Sequence, residues 1–270
     1  MKIVVAGTAK SGTTILFFII KYSNPFSGDC EYLFEPEISS LSRKNYDPKQ
    51  AVLAKILIYK NINYNIFNGF DKKIVLTRDP RDFIVSLLLY HGAYHEIWNK
   101  EVSEIQAGIN LLKRKTYIPS SVSMVELWKA LCGFSPTETK NYLKERFEPF
   151  LQFYRENPGY FLFKYEELID GKLDQLETHL GFKLKKEIKV DKEYTRVERT
   201  KGTGDWRAWF TPQDISFFKP LCLDYMETFG YDVADWQLSQ KQEILPEHSF
   251  DYVKRLVNER RSWSDMAVLP

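Results

Sequence analysis

A run of β-branched residues, Ile3-Val4-Val5-Ala6, passes directly into Gly7-Thr8-Ala9-Lys10-Ser11-Gly12-Thr13-Thr14 and then into an apolar stretch of helical length reaching about Tyr22. Strand, glycine-bearing loop and helix in that order constrain the fold more than any other feature of the chain. Residues 52–58 and 73–77 are continuous apolar runs bounded by polar turns, the pattern of strands buried on both faces of a parallel sheet, and residues 160–164 are a fourth candidate. Asp79-Pro80 predicts a helix over 80–90, with Asp79 as its cap and Pro80 at the first helical position. This alternation predicts an α/β fold: an open parallel β-sheet flanked by helices and joined by crossovers.

Residues 94–156 carry helical patterns, no good strand, and many large side chains, among them Tyr94, Trp98, Tyr117, Trp128, Phe134, Tyr142, Phe147, Phe150, Phe153 and Tyr154. No linker-like composition flanks them, so they read as a helical insertion in a single domain spanning 1–270. Residues 232–270 read as a C-terminal helical extension, with a helix over 247–262. With 44% hydrophobic and 27% charged residues the chain has the material for a sizeable core, which excludes a disordered one. Lys+Arg at 38 against Asp+Glu at 36 argues against a nucleic-acid partner held by bulk positive charge. An anion must therefore be gripped locally. Cys30, Cys132 and Cys222 stand far apart without metal-ligand spacing, which predicts reduced, buried thiols and a cytoplasmic location. The strongest apolar run, residues 15–20, is too short to span a membrane. Oligomeric state leaves no mark on the sequence.

A strand that ends in a glycine loop and opens a helix turns backbone N–H groups toward the positive end of the helix dipole, so residues 7–14 are a phosphate or sulfate cradle. The interval from Gly7 to Gly12 matches a Walker A loop, but Thr13 stands where that motif requires lysine, and the lysine sits at position 10. The 73–77 strand runs into Thr77-Arg78, which repels Mg²⁺ rather than holding it. A basic site with no evident metal carboxylate suits a donor less charged than a nucleoside triphosphate.

Ala9-Lys10-Ser11-Gly12-Thr13-Thr14 resembles the 5′-phosphosulfate loop of the sulfotransferases that use 3′-phosphoadenosine 5′-phosphosulfate (PAPS), usually Pro-Lys-Ser-Gly-Thr-Thr-Trp. Here Ala9 replaces the proline, and Ile15 replaces the tryptophan that helps hold adenine. Arg78-Asp79-Pro80-Arg81-Asp82-Phe83-Ile84-Val85-Ser86 is similar to that family's 3′-phosphate motif, an arginine followed eight positions later by a serine. On a helix starting at Pro80, Ser86 lies about 9 Å up the axis, within reach of a phosphate shared with a long guanidinium. Arg199-Thr200-Lys201-Gly202-Thr203-Gly204-Asp205-Trp206 resembles the family's Arg-Lys-Gly-x-x-Gly-Asp-Trp segment, with Lys-Gly shifted one residue later. Phe161 to Leu168 resembles its Tyr-Glu-Asp segment. The matches keep the family's order over residues 1 to about 230.

The resemblance implies a P-loop-like, three-layer domain that transfers a sulfuryl group from PAPS to a hydroxyl or amine of a small-molecule or carbohydrate acceptor. It releases adenosine 3′,5′-bisphosphate and uses no metal. By the same resemblance Lys10, Ser11, Gly12, Thr13 and Thr14 hold the phosphosulfate, and Lys10 steadies the leaving oxygen. Arg78, Ser86, Arg199, Lys201 and Gly202 hold the 3′-phosphate, and Tyr165 meets the adenine. The histidine that cytosolic members carry after the second strand is missing, since the stretch reads Lys55-Ile56-Leu57. Several carbohydrate sulfotransferases use a glutamate shortly after the first helix, which makes Glu35 the candidate general base, with Glu31, Glu37, His91 and His95 as alternatives. A P-loop kinase or other NTPase, and a non-catalytic nucleotide-binding protein, are the rival readings. The acceptor itself is not legible: the aromatic residues of 94–156 suit a core as well as a lipophilic pocket, and the position of Glu35 leans toward a sugar.

Overall fold

The computed structural model describes residues 1–23, 25–26, 28–38, 49–60, 63–96, 100–185, 190–191, 194, 199–200 and 202–262. Strands β1 (Lys2–Gly7), β2 (Cys30–Phe34), β3 (Ala51–Leu57), β4 (Lys72–Thr77) and β5 (Phe161–Lys164) form one sheet in the order β2-β3-β1-β4-β5, and every pairing is parallel. The helices of eight or more residues are α1 (Thr13–Ser23), α2 (Pro80–Tyr94), α3 (Val102–Tyr117), α4 (Met124–Cys132), α5 (Pro136–Glu156), α9 (Pro212–Thr228) and α10 (Phe250–Ser262). Shorter ones are α6 (Tyr165–Ile169), α7 (Asp174–Leu180) and α8 (Trp206–Trp209). This is the open parallel sheet with flanking helices that the alternation predicts. Among the described residues no helix is long and apolar enough to cross a membrane.

The chain divides into two compact units, Met1–Arg78 with Glu145–Thr195 and Asp79–Lys144 with Arg196–Pro270. In the first, β1 is central: Gly7 is paired with Leu57 of β3 on one side and with Leu76 of β4 on the other. Ile3, Val4, Val5 and Ala6 are all fully buried, as a strand covered on both faces requires. Leu16, Phe17, Phe18 and Ile20 of α1 join Phe163, Leu176 and Leu180 in the core cluster on the sheet. The chain leaves β1 toward one edge and later returns to β4 on the opposite side. Open parallel sheets place ligand crevices at the carboxyl ends of strands where the order reverses in this way.

The second unit is helical, with α2 packed against α4, α8, α9 and α10. Asp79 caps α2 as expected, accepting from the Arg81 amide at 2.9 Å, but the helix runs to Tyr94 rather than ending near 90. Thr211 and Asp214 form a capping box at the start of α9. Asp214, fully buried, also accepts from the Met124 amide at 2.9 Å, so one carboxylate serves the first turns of both α9 and α4. The aromatic residues of 94–156 are largely core: Tyr94, Trp128, Phe147, Phe150 and Phe153 are buried, whereas Tyr117 is exposed. Trp98 lies outside the described residues.

Candidate active site

The loop between β1 and α1 is built on two glycines with different duties. A Cβ on Gly7 would meet Ser11 Oγ at 2.7 Å and the Leu76 carbonyl at 2.8 Å, so the loop can fold tightly over the strand only if position 7 lacks a side chain. Gly12 has φ +94°, and a Cβ there would lie 2.4 Å from the Tyr165 ring. Ser11 closes the turn, its amide and hydroxyl both donating to the Thr8 carbonyl at 3.3 and 2.8 Å. The Gly12 carbonyl begins the α1 ladder by accepting from the Leu16 amide at 3.1 Å. The amides of Thr13 and Thr14 therefore fall in the first helical turn, where no intrahelical acceptor exists. Thr13 and Thr14 are themselves buried.

Arg78, one residue past β4, is 5% exposed. Its Nη1 donates to the Lys10 carbonyl at 3.2 Å, and its guanidinium lies 4.5 Å from the centre of the Tyr165 ring. Among the described residues its Nε and Nη2 have no acceptor. Three segments far apart in sequence, 10–12, 78 and 165, thus meet in one place. Buried cationic N–H groups without acceptors are costly unless an anion completes them, and a glycine loop that opens a helix is, in general, a second place that favours negative charge. Tyr165 is 3% exposed and packs against both Gly12 and the Arg78 guanidinium.

Glu35 follows β2 with φ +48°, and Lys10 has φ +69°; among the described residues these are the non-glycine positions in the left-handed region. Such strain persists where surrounding structure enforces it, and functional sites are where it collects. The Glu35 carboxylate accepts from Lys55 Nζ, and its amide donates to the Lys55 carbonyl at 2.9 Å. Lys55 is 2% exposed, with its ammonium 4.1 Å from the Phe34 ring centre. Sequence reasoning passed over this lysine as the place where a histidine was missing. Of the alternatives, Glu31 accepts from Gln50 Nε2 at 3.1 Å.

In the helical unit Ser86 is buried on α2. The Arg199 side chain, 3% exposed, donates to Asp205 Oδ2 at 2.9 Å and to the His248 carbonyl at 3.1 Å. It lines a hollow of about 260 Å³ with Thr203, Gly204 and Lys241. The Gly202 amide donates to Thr200 Oγ1 at 2.8 Å, and Lys201 lies outside the described residues. Asp82, also missed from sequence, accepts from the Gly204 and Trp206 amides at 2.6 and 2.9 Å and so ties the 204–206 segment to the first turn of α2. Arg81 stacks 4.2 Å over Trp206 and is paired with Asp79, so this tryptophan is a packing residue. His91 meets the Tyr142 hydroxyl with Nδ1 at 3.0 Å and Glu96 with Nε2 at 2.8 Å, while His95 stacks on its ring.

No family model matches the sequence, and no curated protein matches it. Comparison with solved structures finds the sulfotransferase fold. The chain superposes on mouse sulfotransferase SULT7A1 complexed with PAP at a TM-score of 0.51, with 16% identity over 83% of each chain. Retinol dehydratase in complex with androsterone and the inactive cofactor PAP aligns at 0.47, with 13% identity over 84% of this chain and 80% of that one.

Proposed function

We propose that the protein is a sulfotransferase that moves a sulfuryl group from PAPS to a hydroxyl or amine. The observation that carries this reading is Arg78: a buried guanidinium, anchored to the Lys10 carbonyl and stacked on Tyr165, whose Nε and Nη2 have no acceptor among the described residues. An adenosine nucleotide bearing separate 5′ and 3′ anionic groups fits this donor set. The glycine loop serves one group and the arginine the other. Ser86, Arg199, Lys201 and Gly202 are proposed to complete the 3′-phosphate site, on the strength of the sequence resemblance. The bound donor supplies an activated sulfuryl group with a nucleotide phosphate as its leaving group.

The chain's own residues then do the positioning. Amides of the first turn of α1 hold the 5′ end, and Lys10 steadies charge developing on the leaving oxygen. Glu35 takes the proton that the acceptor hydroxyl gives up as its oxygen attacks, and Lys55 fixes the carboxylate for that task. Calorimetry with adenosine 3′,5′-bisphosphate and with ATP·Mg²⁺ tests the reading. The bisphosphate is expected to bind, and Arg78→Ala to weaken it roughly 10- to 100-fold through loss of charge-assisted hydrogen bonds. Equal or tighter binding of ATP·Mg²⁺, or an Arg78→Ala chain with unchanged affinity, would overturn it.

A further inference from the structure

We propose that the acceptor is an uncharged carbohydrate, seated in the hollow that opens beyond the carboxyl end of β3. This rests on the sulfotransferase reading and adds the substrate class to it. The hollow has a volume of about 320 Å³ and belongs wholly to the sheet-bearing unit. It begins two residues past β3, at Tyr59, and its wall is the last two turns of α5. A cavity of this size accommodates a small ligand.

Its chemistry is one-sided. The lining brings together Asn63, Asn65, Gln152, Glu156 and Asn157 with the ring of Tyr59, while Tyr64 and Phe153 are buried and meet edge-to-face with centres 5.2 Å apart. Amides offer a donor and an acceptor on one planar group, which matches the paired hydroxyls of a sugar ring. A steroid or long-chain alcohol needs a predominantly apolar wall, whereas here Pro149, Tyr64 and Phe153 share the lining with five amide or carboxylate side chains. Glu156 in the lining disfavours an acidic acceptor. Tyr59 is 44% exposed, a flat aromatic surface of the kind on which the C–H face of a pyranose stacks.

The polar groups are also held in place. Gln152 Nε2 donates to Glu156 Oε1 at 2.8 Å, Asn63 Oδ1 accepts from the Asn65 amide at 2.9 Å, and Asn157 Nδ2 donates to the Phe153 carbonyl at 2.8 Å. Ordering them on binding costs little, since they are ordered already. The hollow and the proposed base lie at the carboxyl ends of neighbouring strands: the Glu35 amide donates to the Lys55 carbonyl at 2.9 Å, and Tyr59 follows four residues further along that chain segment. Burial raises the Tyr59 phenol, the Glu35 carboxylate raises it further, and Arg146 opposes both. A hydroxyl of a sugar resting on Tyr59 therefore lies in the field of the carboxylate that is to deprotonate it.

The test is transfer of label from [³⁵S]PAPS to chitobiose, cellobiose and maltotriose, with 2-naphthol and a long-chain alkanol as competitors. A neutral saccharide is expected to be sulfated in preference. Tyr59→Ala and, independently, Gln152→Ala are expected to raise its KM roughly tenfold while affinity for adenosine 3′,5′-bisphosphate changes less than about twofold. Preference for naphthol or alkanol with the bisphosphate still bound, or an unchanged KM in both variants, would overturn the carbohydrate assignment and leave the sulfotransferase reading standing. A chain that does not bind the bisphosphate would overturn that reading instead. The hollow is then decided by NMR titration with the same three saccharides: shifts confined to Tyr59 and the amides of 63, 65 and 152 support it, and their absence refutes it.

Discussion

Lys10 and Glu35 are the residues to which sequence reasoning gave the proton and leaving-group work, and the structure puts both in a backbone conformation that L side chains avoid. Neither motif spacing nor composition carries that information, because the strain comes from what surrounds the loops. The partner of Glu35 was equally illegible. A lysine within Val52-Leu53-Ala54-Lys55-Ile56-Leu57 reads as an interruption of an apolar strand, and only the paired strand Cys30–Phe34 explains how its charge is met. Removing one member of such a pair differs from removing the other. Glu35→Gln takes the carboxylate from a buried ammonium and is expected to cost about 2 kcal/mol, tempered by solvent at the half-exposed glutamate. Lys55→Met leaves a carboxylate that water can reach and is expected to cost less. Urea unfolding of the two variants checks the order, and a reversed order would mean that the pair does not set local stability.

At the scale of elements, β1, β3 and β4 were legible because they are the inner strands, and burial on both faces leaves continuous apolar runs. β2 was not: it is an edge strand of intermediate burial, reading Cys-Glu-Tyr-Leu-Phe, with Tyr32 exposed. The edge strand β5 was found because its four residues Phe-Leu-Phe-Lys keep an apolar run. The strand order has no local signature at all. Helix starts were readable where a cap is chemical, as at Asp79-Pro80, but the sharing of Asp214 between α9 and α4 depends on two segments 90 residues apart. That sharing makes a strong prediction. Asp214→Ala is expected to cost about 3 kcal/mol or more, because it strips the acceptor from buried amides of Met124 and Thr211 together. Asp214→Asn, which keeps an acceptor oxygen, is expected to recover part of the loss. Thermal unfolding followed by circular dichroism measures both, and equal melting temperatures for the two variants would refute the shared-cap account.

For the whole molecule, stability on the alkaline side is set by buried groups of opposite sense. Lys115 is fully buried, its ammonium held by the Pro119 and Val122 carbonyls, and burial pushes it down to about 8 from 10.5. Between those values the unfolded chain binds the extra proton, so this group makes stability rise with pH. Burial pushes the Cys30 thiol up to about 11, and those of Cys132 and Cys222 up as well. Above about pH 9 thiols in the unfolded chain ionise while these do not, which makes stability fall. One lysine set against three thiols leaves the downward contribution dominant, so denaturation midpoints are expected to fall as the pH rises past about 9. Lys115→Met removes the opposing contribution and is expected to steepen that fall; an unchanged slope would assign the opposition to another group. The central place of β1 has one further consequence, for synthesis. The Lys10–Thr14 loop leaves the ribosome well ahead of the ring that packs against Gly12, which belongs to Tyr165 and arrives some 150 residues afterwards. A nascent chain halted ahead of that tyrosine carries the phosphate-binding segment without its brace, so nucleotide capture by stalled chains of increasing length should switch on only once the fifth strand and its successor have emerged.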